Sequence, residues 1–74
     1  MTETRLDLRG LKCPLPALKT RKALQRLATS DLLTVECTDP LAEIDIPHLV
    51  SETGDALENT VREGDALVFR IRKR

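Results

Sequence analysis

Few side chains in this chain are capable of covalent chemistry. The 74 residues hold two cysteines, Cys13 and Cys37, and one imidazole, His48, so the reactive inventory is short. Cys13 sits in the run Lys12-Cys13-Pro14-Leu15-Pro16, immediately before a stretch of good helix formers. A thiolate there meets unbonded backbone N–H groups and the positive end of a helix dipole. Arg9 and Lys12 add basic charge, so the placement predicts a depressed pKa and a nucleophilic sulfur. Pro14 and Pro16 stiffen the approach and fix where the sulfur points. Leu15 and Leu18 fall off the core-facing stripe of the helix and predict an apolar collar beside the thiol. The competing reading is a small buried hydrophobe, the commonest fate of free cysteine. Placement alone leaves these two readings level.

Cys37 occupies the apolar phase of Leu33-Val35-Cys37, which assigns it to the core. A redox pair with Cys13 lacks the Cys-x-x-Cys spacing such pairs favour. A metal centre from Cys13, Cys37 and His48 wants a fourth ligand and matches no zinc spacing, so no metal is expected and His48 reads as a solvated helix residue. With no second His and no acid beside Cys13 in the chain, cysteine-protease chemistry lacks its positioned base. Asp39, Glu43 and Asp45 resemble paired carboxylates, but Asp39 and Asp45 are better placed as helix N-caps. Three glycines make no phosphate loop.

The elements that position these groups follow from periodicity. Leu6-Asp7-Leu8 is a short alternation ended by Arg9-Gly10, a strand and turn. Pro14 and Pro16 mark a helix start, because proline tolerates the first turn. From Ala17 to Ser30 there is no Gly or Pro. Ala17, Thr20, Leu24, Leu27 and Ala28 share one side of this helix, and Lys19, Lys22 and Arg26 lie opposite. Leu33 to Cys37 alternates as a half-buried strand. A second helix is predicted from Asp45 to about Thr53, with a preliminary turn at Pro40–Ile44 and Gly54 as its stop. Ala56–Arg62 and Ala66–Arg72 flank Glu63-Gly64-Asp65, a hairpin signal. The order β-α-β-α-β-β predicts an α+β fold, a two-layer α/β sandwich with a four-stranded mixed sheet and both helices on one face.

At this length only one domain, spanning residues 1–74, and one modest core are expected. The zero net charge comes from 12 basic and 12 acidic residues, and it removes the electrostatic signature of a nucleic-acid or anionic-membrane protein. One aromatic residue offers no stacking platform for single strands. Zero is nevertheless a cancellation. Arg9 to Arg26 carries six basic residues and no acid, whereas Asp31 to Asp65 carries ten acids and one base. The basic face Lys19, Lys22, Arg26 reads either as a solvated helix side or as a docking surface for an acidic partner. Two cysteines, no signal-peptide run and no membrane-length apolar segment make the reducing cytoplasm the expected location.

The segment Leu6-Asp7-Leu8-Arg9-Gly10-Leu11-Lys12-Cys13-Pro14-Leu15-Pro16 resembles the N-terminal signature of the TusA/SirA-type sulfur-carrier family. Lys19 matches the lysine in the helix that follows that signature. Thr38-Asp39-Pro40, Asp45-Ile46-Pro47 and Gly54 resemble the family's second block, and Phe69-Arg70-Ile71-Arg72-Lys73 its last strand. The resemblance implies the same β-α-β-α-β-β sandwich and a sulfurtransferase-type persulfide relay without a cofactor. Cys13 would be the carrier residue, with Arg9, Gly10, Lys12, Pro14 and Pro16 as its motif and Leu15, Leu18, Lys19, Lys22 and Arg26 as docking residues. The implied partners are a cysteine desulfurase or rhodanese as donor and a downstream sulfur-acceptor protein. Neither a membrane nor direct nucleic-acid binding is implied. Leu15 stands where tRNA-thiolation members carry Glu, which counts against that pathway. Val50 stands where many members have a second Cys, Asp55 where a His often follows the glycine, and Ser30-Asp31 where a Gly-containing turn is usual. Two other function classes compete. One is a non-catalytic regulatory or RNA- or protein-binding module using the basic helix face. The other is a redox sensor that forms a Cys13–Cys37 disulfide.

Overall fold

The computed structural model describes residues 2–74. Its elements run β1 (Glu3–Leu8), α1 (Leu15–Gln25), β2 (Leu32–Cys37), α2 (Ala42–Thr53), β3 (Ala56–Glu63) and β4 (Ala66–Arg72), in the order expected. One mixed sheet has the strand order β1-β2-β4-β3. β1 lies parallel to β2, with Leu8 opposite Cys37, and β4 lies antiparallel to both β2 and β3.

The core follows from the period-2 alternation of the strands. Leu8, Leu33, Val35, Cys37, Leu67, Phe69 and Ile71 project to one face and form a single cluster with Leu24 of α1 and Ala42, Ile46 and Val50 of α2. Both helices therefore cover the same face of an α+β sandwich. β2 is buried on its other face as well, with Leu32 and Thr34 shielded, because it is an interior strand flanked by β1 and β4. The half-buried expectation for β2 misses that central placement.

Two helix boundaries differ from the sequence reading. α1 begins at Leu15 and stops at Gln25, short of Ser30, so Ala28 is exposed rather than on the buried stripe. The Asp31 carboxylate takes the Ala28 N–H at 2.9 Å, and Ser30 adopts a φ of 76°, reversing the chain into β2. The second helix starts at Ala42, ahead of Asp45, and carries Pro47 inside it. Gly54 ends it in the left-handed region at φ 79°, as expected. In the β3–β4 hairpin Gly64 has φ 64° at the first position of the two-residue loop, where a type II′ turn requires glycine.

Candidate functional site

Parallel pairing of β1 and β2 in register brings their C-terminal ends to the same end of the sheet, so the segments that follow them lie side by side. Side-chain oxygens then staple one to the other. The Gly10 N–H donates to Thr38 Oγ1 at 2.8 Å, and the Cys13 N–H donates to Asp39 Oδ2 at 2.6 Å. Gly10 reaches this arrangement with φ 84°, a conformation that strains any residue with a Cβ. The other Asp39 oxygen accepts the Leu41 N–H at 3.1 Å. Asp39 thus fixes the cysteine loop and the entry to α2 together.

Cys13 is exposed in the turn before α1, whose N-cap is Pro14, and the Cys13–Pro14 peptide is cis. Its thiol donates to Asp45 Oδ2 at 3.1 Å. The predicted N-cap roles are corrected accordingly. Leu41 is the N-cap residue of α2, and the Asp45 carboxylate is turned to the sulfur from the first turn of the helix.

The expected depression of the Cys13 pKa is also overturned. The hydrogen bond to Asp45 pushes this thiol up, with partial desolvation and the negative charges of Asp45 and Asp39 adding to it. The helix N-terminus opposes this with only about half an elementary charge, and a full carboxylate charge in direct contact outweighs it. Of the cations expected to help, Arg9 is engaged elsewhere. The Arg9 guanidinium grips Asp7 at 2.9 and 3.0 Å, which holds the Asp7 carboxyl down to about 2. Lys12 is exposed and lines a separate recess with Gly10, Leu11, Thr38, Asp39 and Pro40.

Cys13 opens onto a groove of about 310 Å³ between the two helices, walled by Pro14, Ala17, Leu18 and Arg21 of one and Asp45, His48, Leu49 and Glu52 of the other. Within it the Glu52 carboxylate has the Arg21 guanidinium at 3.6 Å and His48 Nε2 at 3.5 Å. Leu15 and Leu18 are 44% and 55% exposed, and of the two Leu18 lines the groove with Cys13. Pro16, by contrast, is buried on the inner side of the first turn of α1. Sequence reasoning missed a second exposed apolar pair at the start of α2, Leu41 at its N-cap and Ile44 in its first turn, at 51% and 68% exposure. Ile44 falls off the buried stripe Ala42, Ile46, Leu49, Val50, so periodicity was the signal that marks it.

Lys19, Lys22 and Arg26 lie on the other flank of α1, where with Leu6 and Ala23 they line a second groove of about 240 Å³ beside β1. The helix therefore separates a sulfur-bearing flank from a basic flank. Cys37 is wholly buried, and its thiol is pushed up to about 11, chiefly by burial. Among the described residues no cluster of His, Cys, Asp and Glu is arranged to hold a metal ion, and no helix is long and apolar enough to cross a membrane.

A β-α-β-α-β-β sandwich with an exposed cysteine between the first strand and a proline-started helix defines a class, and comparison with known proteins identifies it. The model of the sulfurtransferase TusA family matches residues 4–73. The chain is 37% identical over 68 residues to the sulfur carrier protein TusA of Allochromatium vinosum, covering 92% of this chain and 90% of that one. It is 33% identical over 69 residues to the sulfur carrier protein TusA of Pseudomonas putida, covering 93% and 86%. The chain belongs to the TusA family.

Proposed function

We propose that this chain, as one carrier domain over residues 1–74, accepts sulfane sulfur as a persulfide on Cys13 and relays it to a partner protein. The observation that carries the reading is the exposed Cys13 thiol at the mouth of an open groove, on a loop stapled by Thr38 and Asp39. Relatives named sulfur carriers support it. A relay needs a sulfur that two successive proteins reach, which an enclosed pocket would prevent.

In the transfer the Cys13 sulfur, as thiolate, attacks the outer sulfur of a cysteine persulfide on the donor. A new S–S bond forms at Cys13 and the donor's S–S bond breaks. The electron pair of the broken bond leaves with the donor cysteine, which takes up a proton. One sulfur atom moves and no external oxidant or reductant is consumed. The reverse geometry delivers the sulfur to an acceptor thiolate. The donor is a cysteine desulfurase or rhodanese, the acceptor a downstream sulfur-transfer protein, and the compartment the reducing cytoplasm. The exposed leucines Leu15 and Leu18 meet the partner around the sulfur, and Lys19, Lys22 and Arg26 steer an acidic surface onto α1.

Incubation with a cysteine desulfurase and cysteine, read by intact mass, tests this directly. One added sulfur on the wild type and none on Cys13→Ser is expected; unloaded wild type, or equal loading of Cys13→Ser, overturns the reading. Reversing Lys19 and Lys22 to Glu should slow loading at low salt and leave the melting temperature unchanged, since both side chains are exposed. An unchanged rate places docking on another surface.

A further inference from the structure

The hydrogen bond between Cys13 and Asp45 is an unexpected arrangement for a nucleophile. An ordinary carboxylate is a weaker base than a thiolate by roughly four orders of magnitude, so Asp45 is poorly suited to remove the thiol proton. What it does at 3.1 Å is accept a hydrogen bond that only the protonated sulfur can donate.

The surrounding charges sharpen this. Asp39, on the segment after β2, has its two oxygens on backbone N–H groups of Cys13 and Leu41. Arg21 of α1 and His48 of α2 are turned to Glu52. Arg9 is held by Asp7, and Lys12 is exposed beside a separate recess. Among the described residues Asp45 has no cationic partner, and the Cys13 thiol is its one hydrogen-bond donor. A half-buried carboxylate without a counter-ion, in contact with the reactive sulfur, is a vacancy for a positive charge from outside.

We propose that Asp45 is a lock on this thiol: its carboxylate keeps the proton on Cys13 in the free chain, and a Lys or Arg of the docked partner releases it by pairing with the same carboxylate. The inference rests on the carrier reading for its second half only. On release the proton passes to water, and the thiolate is freed where the donor's persulfide lies. In the free chain the sulfur is correspondingly slow toward small electrophiles and oxidants. Asp45 is in these terms a positioning residue that acts through Cys13.

The test compares wild type, Asp45→Asn and Asp45→Glu, each checked for an unchanged fold by circular dichroism. The first readout is the pH dependence of Cys13 alkylation by iodoacetamide in the free chain. Asp45→Asn is expected to move the midpoint to lower pH and to alkylate several-fold faster at pH 7, with Asp45→Glu restoring the wild-type direction. An unmoved midpoint overturns the lock. The second readout is sulfur loading from a cysteine desulfurase. Loading of Asp45→Asn no faster than wild type, despite its faster alkylation, supports release by the partner's cation. A gain equal to the alkylation gain means the lock persists in the complex and overturns that half. If wild type takes up no sulfur, the carrier reading and the partner half fall together, and the alkylation midpoint still decides the lock.

Discussion

Both thiols are pushed upward, for different reasons and with different consequences. Cys13 is raised first by a hydrogen bond at the surface and Cys37 first by burial in the core. Cys37 has a folded pKa of about 11 against an ordinary value of 9.0. The unfolded chain thus loses this proton while the folded chain keeps it, so the stability it confers is full below pH 9 and is lost as pH rises toward 11. In a Cys13→Ser background, which removes the other thiol, the melting temperature should fall across that window. Adding Cys37→Ala should flatten the fall even though it lowers the starting value; an equal slope would mean other groups carry it. The proline neighbours and the helix behind it left Cys13 level between an exposed and a buried sulfur, and the family resemblance was what favoured the exposed one, as the fold has it. Its chemical state was not legible, because the partner that controls the proton lies 32 positions away, on another helix. Local spacing placed Arg9 and Lys12 beside the cysteine, whereas the fold gives Arg9 to Asp7 and brings two acids to the sulfur instead.

Element order and type could be read from periodicity because each apolar stripe is buried by the same sheet face. The boundaries could not, and the reasons are local. Pro47 reads as a helix start, yet α2 accommodates it one and a half turns in. No Gly or Pro marks the end of α1 at Gln25, and in the connection from there to β2 Ser30 does the work of a glycine. A left-handed conformation costs an L-residue about 1–2 kcal/mol, and glycine's extra chain entropy returns part of that. Ser30→Gly should therefore stabilise the chain by about 0.5–1 kcal/mol, read as a denaturation midpoint that rises with an unchanged slope. At the other ends of the helices, Leu18 and Ile44 are more than half exposed in the first turns of α1 and α2. Leu18→Ser and Ile44→Ser should slow sulfur loading with melting temperatures within a degree or two of wild type, since little of either side chain is buried on folding. A matching loss of stability would assign them to the fold instead.

A chain of this length is held by a margin of about 4–11 kcal/mol. Phe69 is the largest wholly buried side chain and sits on β4, the strand that joins β2 to β3. Its truncation to Ala should cost about 3–5 kcal/mol, enough to lower the urea midpoint severely or to leave part of the chain unfolded at 37 °C. At the far pole of the sheet, the Thr2 N–H donates to Asp31 Oδ1 at 2.9 Å, the Lys73 N–H donates to the Asp31 carbonyl at 2.8 Å, and the Ser30 N–H donates to the Lys73 carbonyl at 2.8 Å. Asp31 accordingly titrates below the usual carboxylate range, held there by the Ala28 and Thr2 N–H groups. Residues 2 and 73 thus emerge on either side of Asp31 at the end of the sheet opposite the one that bears the sulfur. The domain behaves as a plug with its leads at the back: it can be tethered to a surface, or spliced into a longer polypeptide through either lead, while Cys13 still faces outward for exchange.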